Sequence, residues 1–298
     1  MTRRGFLKGL LGVTLAGLVT SLYGFWVEPV LRLRVQRWKI RPVGWTAGPL
    51  KIAILADLHM GEPWVSLDRL RRIVARTNAL GADLIVMLGD LPAGHRFVMK
   101  AVPIPAVATV LAGLQAPLGV YAILGNHDWW QDSAAQARGG GPSLVAAQLR
   151  DAGLPVLENQ VVRIGRGAKA GTGAFWLAGL DDQLAIAKAE GGYRGLDDLS
   201  GALAQVTDDA PVILLAHEPD IFARVPDRVA LTLSGHTHGG QVRLVGWSPV
   251  VPSAYGNRYA YGWVREGDRD LVVSGGIGCS IVPFRLGMVP EITVIELS

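Results

Sequence analysis

The amino-acid sequence predicts an α/β fold with mixed sheets, in one domain behind an N-terminal apolar segment. From Pro49 onward, short β-branched apolar runs alternate with helical stretches, and later runs follow one another with no helix between them. That mixture builds parallel and antiparallel strand pairs into one structure. Half of the 298 residues are hydrophobic and mean hydropathy is +0.30, enough for a large core and against intrinsic disorder. Glycine occurs 38 times without a three-residue period, so the surplus marks tight turns and not a collagen-like chain.

In chain order, Arg3-Arg4-Gly5-Phe6-Leu7-Lys8 precedes 19 uncharged residues, Gly9 to Val27. A charged start before such a stretch makes a signal segment or a membrane helix. The paired arginines resemble a twin-arginine export signal, with the alternative of an ordinary signal-anchor. No small-x-small cleavage site follows, so an uncleaved anchor is expected. Leu31–Gln36 alternates strictly and reads as a half-buried edge strand with Arg32 and Arg34 on its wet face. The boundaries are then residues 1–30 for the signal or anchor and 31–298 for the body.

The body opens with a strand at Lys51–Ala56 and a helix at Ser66–Leu80, capped by Ser66, with Leu67, Leu70, Ile73, Val74 and Thr77 on one face. A buried strand at Leu84–Leu88, a helix around Ala106–Leu114, a strand at Val120–Leu124 and a capped helix at Ser143–Ala152 follow. The remaining strands are Val161–Ile164, Phe175–Ala178, Val212–Ala216, Ala230–Leu233, Leu271–Ser274 and Ile292–Glu296. Gly165–Gly173 reads as a Gly/basic loop, and Ala185–Gly195 and Ser248–Gly262 as surface excursions. No 20–50-residue repeat occurs.

Charge narrows the class. Residues 1–41 hold eight of the 29 Lys/Arg residues and one acid, leaving the body 21 basic against 24 acidic groups. A basic nucleic-acid-binding surface is not described by that balance, so no nucleic-acid partner is expected. The single cysteine, Cys279, excludes an internal disulfide and a thiolate zinc cluster and reads as a small buried residue.

The histidines carry the chemistry. Five of the six follow a predicted strand beside Asp, Asn or Gly: Asp57-Leu58-His59, Gly125-Asn126-His127-Asp128, His217-Glu218 and Gly235-His236-Thr237-His238-Gly239-Gly240, with Gly89-Asp90 completing the set. Open α/β folds place ligands at strand carboxyl ends. In extended chain, residues i and i+2 point the same way, so Asp57 with His59, and His236 with His238, are expected to reach one centre. Imidazole, carboxylate and amide oxygen without thiolate suit Mn²⁺, Fe or Zn²⁺. Two Asp, one Asn and four His exceed the needs of one ion; with Asp90 bridging, two divalent ions fit. The plain alternative is a set of satisfied polar residues at strand ends.

As an ordered set over residues 50–298, these motifs resemble the calcineurin-like metallophosphoesterase superfamily. The resemblance implies a two-sheet β-sandwich flanked by helices, one metal on Asp57, His59, Asp90 and His238, and another on Asp90, Asn126, His217 and His236. His127 would stand off the metals beside the phosphate. With its leader, the chain looks most like the exported branch of UDP-2,3-diacylglucosamine-hydrolase-like phosphodiesterases. The implied function is phosphodiester hydrolysis by a metal-generated hydroxide, with His127 protonating the leaving oxygen, on the extracytoplasmic face of the membrane or in the periplasm. The substrate implied is then a phosphoester, lipid-linked in that branch, and the export machinery and membrane are partners of the leader. The alternatives are a membrane-tethered metal- or phosphate-binding protein without turnover, and an exported phosphomonoesterase. Many members read Gly-Asp-x-x-Asp, where the last Asp orients the catalytic histidine; here that position is Ala93, so Asp128 or a backbone carbonyl is expected to do so. Trp64, Trp129 and Trp130 are candidate substrate or membrane contacts beside the motifs. Arg258 is a candidate phosphate contact, and His95 reads as a surface histidine, with a substrate contact as the alternative.

Overall fold

In the computed structural model the described residues are 2–165 and 173–298, which leaves all but the ends of the Gly165–Gly173 loop outside them. The leader forms helix α1 (Arg3–Leu22), capped by Thr2, whose side chain accepts from the Gly5 N–H. It is long and apolar enough to cross a membrane, as a signal sequence or an anchor is. A widened helical stretch, Tyr23–Leu31, continues it, so the strand expected from Leu31 begins only at Arg34. That strand, β1 (Arg34–Ile40), lies at a sheet edge as its alternation predicts. Its arginines pair with acids of the neighbouring strand: Arg34 with Glu291 at 2.7 Å and Arg37 with Glu296 at 3.3 Å.

The body then runs β2 (Leu50–Leu55), α2 (Leu67–Asn78), β3 (Leu84–Met87), α3 (Ile104–Leu111), β4 (Val120–Ala122), α4 (Asn126–Trp130), α5 (Ser133–Arg138) and α6 (Leu144–Asp151). The second half contributes β5 (Gln160–Ile164), β6 (Phe175–Gly179), α7 (Leu199–Ala204), β7 (Val212–Leu215), β8 (Val229–Ser234), β9 (Gly262–Glu266), β10 (Arg269–Val273) and β11 (Glu291–Leu297). The caps predicted at Ser66 and Ser143 are in place, each accepting the N–H three residues on. Strand β9 was not expected; it starts at Gly262, where the predicted excursion Ser248–Gly262 ends, and its Trp-Val-Arg-Glu run is an edge, half exposed and poor in pattern.

Among the described residues two mixed sheets face one another. One has the order β1-β11-β2-β3-β4 and the other β9-β10-β8-β7-β6-β5. The period-2 alternation of each strand sends its two faces into different cores. Ile52 and Ile54 of β2 meet Ile213 and Leu215 of β7 between the sheets. Ala53 and Leu55 turn outward under α2, α3 and α6, whereas Val212 and Leu214 pack outward beneath α7. β2, β3 and β4 are mutually parallel, as are β6, β7, β8 and β10. Their carboxyl ends therefore open on one edge of the sandwich, and both sheets deliver loops there. The two-sheet α/β architecture implied by the resemblance is the one observed.

Candidate metal centre

Each sequence-predicted ligand lies on one of these loops: Asp57 and His59 after β2, Asp90 after β3, Asn126 after β4, His217 after β7, and His236 with His238 after β8. The structure brings all seven together, but not by the expected route. Asp57 and His59 have φ of 53° and 41°, and His236 and His238 have 68° and 52°. The pairs are left-handed residues flanking one intervening residue and not extended chain; Asp90 is left-handed too, at 58°. Asp, Asn and His tolerate this region better than most residues, yet it costs roughly 1 kcal/mol or more for each. Glycine is needed at 125, where a Cβ would meet His217 Cε1 at 2.7 Å and the Asp90 carboxylate closer still.

Asp90 is the middle of the cluster. Its Oδ2 lies 3.4 Å from His59 Nε2 and 3.3 Å from His217 Nε2. On one side, His238 Nε2 is 3.0 Å from His59 Nε2 and 3.6 Å from Asp57 Oδ1. On the other, His236 Nδ1 is 3.0 Å from Asn126 Oδ1. The ligand atoms of Asp57, His59 and His238 form one close group and those of His217, His236 and Glu218 another.

These residues fit cations. His217 Nδ1 donates to Leu88 O at 2.6 Å, so in the neutral ring the Nε2 lone pair faces the carboxylates of Asp90 and Asp57. His217 Nε2, Asp57 Oδ2 and Glu218 Oε1 are buried without a hydrogen-bond partner. Burial would lower the His217 pKa, but Asp90, Glu218 and Asp57 outweigh it and hold it well above the ordinary value. A proton or a metal is thus demanded at that point. Burial pushes His59 down to about 3 and lowers His236 and His238, which keeps these rings neutral and ligand-competent. His59 Nδ1 donates to Pro92 O at 3.2 Å, which leaves Nε2 for a metal. Burial lifts Asp57 to about 7. It also opposes ionisation of Asp90, yet His217 and His127 hold that carboxyl well below the usual range.

His127 lies beside this cluster, its ring edge-on to His59 at 4.8 Å and tilted against Trp130 at 5.1 Å. Asp128 does not orient it. That carboxylate accepts the backbone N–H groups of Asp90 (2.8 Å), Leu91 (3.0 Å) and Gly125 (2.8 Å), tying the β3 and β4 loops together. Burial, with Asp90 adding, pushes Asp128 up to about 7. Without an Asp at position 93, the imidazole is seated by packing: a Cβ on Gly94 would overlap its Nδ1 edge.

Other residues fall differently from expectation. Trp129 is wholly buried and donates to Asp181 at 2.9 Å, so it is a core residue and no substrate contact. Trp64 is buried as well, while Trp130 lines the cavity over the cluster. Arg258 is absent from that lining; it is exposed and bound to Glu266 at 2.6 Å. His95 is buried, not superficial, and lines the cavity with its Nδ1 unpartnered. Cys279 is buried as expected. Two residues escaped the sequence reading. Glu218, the neighbour of His217, sets Oε1 3.9 Å from His236 Nδ1. Arg285, with no motif to mark it, is fully buried and donates to Gly275 O, Gly278 O, Met288 O and His238 Nδ1, the last at 3.1 Å.

A family model for calcineurin-like phosphoesterases matches residues 50–240, the stretch that carries every one of these ligands. The chain belongs to that family. Membership supports a metal-dependent phosphoester hydrolase, and together with the clustered side chains it suggests two divalent ions. The uncharacterized metallophosphoesterase YkuE of Bacillus subtilis (strain 168) is 31% identical, over 100% of this chain and 98% of its own length. Phosphodiesterase YaeI of Escherichia coli (strain K12) is 30% identical, over 100% and 99%. A transmembrane protein with metallophosphoesterase domain from Danio rerio is 32% identical over 83% of this chain, which spans 53% of that relative. Such relatives and the apolar α1 hint at membrane association.

Asp128→Ala strands three buried N–H groups and is expected to cost at least about 3 kcal/mol in denaturant unfolding. A loss under about 1 kcal/mol would show that Asp128 does not hold the two loops.

Proposed function

We propose that the chain is an exported, membrane-held phosphodiesterase with a binuclear site. One observation carries this reading: a single Asp90 oxygen lies between two imidazole nitrogens, at 3.4 and 3.3 Å, where two ligand groups meet. Asp57, His59, Asp90 and His238 hold one ion, and Asp90, Asn126, His217 and His236 the other, with Mn²⁺, Fe or Zn²⁺ suited to the donors. When bound, two such ions supply Lewis-acid polarisation of a phosphoryl oxygen and a water acidified toward neutral pH. The protein groups do the rest. The cavity, about 770 Å³, has Asp90, Asn126, His127, His236 and His238 among its lining residues. There His127, with its Nδ1 edge on Gly94, presents Nε2 and gives a proton to the leaving oxygen. Trp130 holds that ring from the side and closes the wall.

A diester is favoured over a monoester by the name of the relative YaeI and by the apolar part of the lining, where Phe97, Val242, Val250, Val282 and Phe284 could cover a second ester group. A lipid-linked diester of the UDP-diacylglucosamine type combines an apolar group with a phosphate that such a site would take. Residues 1–30 act as a twin-arginine signal or anchor, and residues 31–298 as the phosphoesterase domain beyond the membrane.

Purified full-length protein with Mn²⁺ is expected to hydrolyse bis(p-nitrophenyl) phosphate faster than p-nitrophenyl phosphate. His127→Ala should lose about 10²–10⁴-fold in kcat with metal content unchanged. Two bound metal equivalents without turnover of either ester would favour a tethered binder, and a monoester preference would remove the diesterase reading. Replacing Arg3 and Arg4 by Lys should retain the protein on the cytoplasmic side in protease-accessibility assays. Export that persists in the double variant, and stops only when the general secretory route is blocked, would contradict the twin-arginine assignment.

A further inference from the structure

Exposed apolar side chains gather on the loops at the cavity mouth. Outside α1 and its continuation, Leu244, Val245, Trp247, Val250 and Ile281 are all exposed, at 107% for Val245, 77% for Ile281 and 70% for Val250. Val250 and Ile281 also line the cavity, as does Phe97. The segment carrying Val245 is a hairpin: Val242 pairs with Leu286, and Leu244 and Trp247 exchange both backbone hydrogen bonds, at 2.9 and 3.0 Å. Its two central residues, Val245 and Gly246, have φ of 50° and 80°. Turns with positive φ at both positions ordinarily carry Asn-Gly or Asp-Gly. A β-branched residue there works against the turn, and Ile281 repeats the anomaly at φ 38°. Neither side chain gains burial in return.

The membrane helix reaches the body at this same place. No residue of α1 is buried, and at 20 residues it spans about 30 Å, the thickness of a bilayer core. Burial begins at Gly24. There the Phe284 ring occupies the space a Cβ would need, the Arg285 N–H donates to Gly24 O at 2.9 Å, and the Phe25 and Phe284 rings meet at 5.0 Å. Trp26 stacks on Trp64 at 5.9 Å, so Tyr23 and Trp26 stand where aromatic side chains settle at a membrane surface. The loop holding the end of α1 is thus the loop that presents Ile281 and forms part of the cavity wall. The Val245 hairpin springs from the residue pair next to it.

We infer that the collar formed by Leu244, Val245, Trp247, Val250 and Ile281 dips into the bilayer surface from which α1 emerges, so that the catalytic mouth opens onto lipid. The occupant of this apolar surface is the acyl and headgroup boundary of a phospholipid leaflet. Isolated exposed apolar residues are ordinary on a soluble protein; a group of them on a cavity wall and on the hairpin rooted beside it marks a contact surface. The inference rests on the reading of α1 as a membrane segment but not on the reaction, and it defines the side from which a lipid-linked diester would enter.

Buried Cys279 is the only native thiol, which allows a direct test in the full-length protein. Val245→Cys, Trp247→Cys and, as control, Asp209→Cys on the exposed turn before β7 would each be labelled with an environment-sensitive fluorophore. The labelled proteins would be reconstituted in phosphatidylcholine–phosphatidylglycerol vesicles containing doxyl-labelled phosphatidylcholine. Cooperative thermal unfolding like that of the parent identifies variants that are folded, independently of any phosphodiesterase activity. Labels at 245 and 247 are expected to shift to the blue and lose most of their emission to the doxyl lipid, with the label at 209 unaffected. Three equally quenched labels, or none quenched in protein that floats with the vesicles, would overturn the inference. So would failure to float at all. Disulfide-linked dimers through Val245→Cys without lipid quenching would assign the collar to a second copy of the chain and overturn it equally.

Discussion

The Asp90 carboxylate sits where the two halves of the sandwich meet, and the loop ends are organised around it. His59 approaches it from the β2 loop, His217 from the second sheet, and the His127 N–H donates to its other oxygen at 2.8 Å. Behind it, Asp128 fixes the backbone of residues 90, 91 and 125, and His217 Nδ1 reaches across to the carbonyl of Leu88. Without a cation this arrangement holds carboxylates and imidazole lone pairs against one another in a buried space, which is costly. Five candidate ligands in the left-handed region add strain at the same point. Metal binding removes the electrostatic part of that cost, so it should act as folding energy for the loops.

Much of this was legible in the sequence because strand ends are. A hydrophobic run that stops at Asp, Asn or His announces both a strand and a polar edge, and with both sheets ending on one side the seven candidate residues had to converge. Their backbone was not legible: Asp-x-His reads as extended chain, whereas Asp57 and His59 reach the same point through two left-handed residues. Adjacent tryptophans show a second limit. Trp129 and Trp130 share the short helix α4, and one turns into the core while the other faces the cavity. Local pattern cannot decide that, because the choice depends on Asp181, 52 residues away. His95 and Arg285 were hidden for a similar reason. Each is buried by segments distant in sequence: Trp64 meets the ring of His95, and the carbonyls of Gly275, Gly278 and Met288 receive the guanidinium of Arg285.

The departure at Ala93 follows the same logic. No carboxylate at position 93 seats the imidazole of His127; packing does, with Gly94 against the ring, His59 at its edge and Trp130 at its side. The loops that build this pocket also grip the end of α1 through Gly24 and Phe284. The apolar N-terminal helix and the candidate metal centre therefore share one structural support.

The central claim is that two cations meet at Asp90. Anomalous diffraction from crystals of the protein grown with Mn²⁺ tests it most directly. Two peaks are expected, one among Asp57, His59 and His238 and one among Asn126, His217 and His236, with Asp90 touching both. A single peak, or two peaks of which Asp90 contacts only one, would contradict the account.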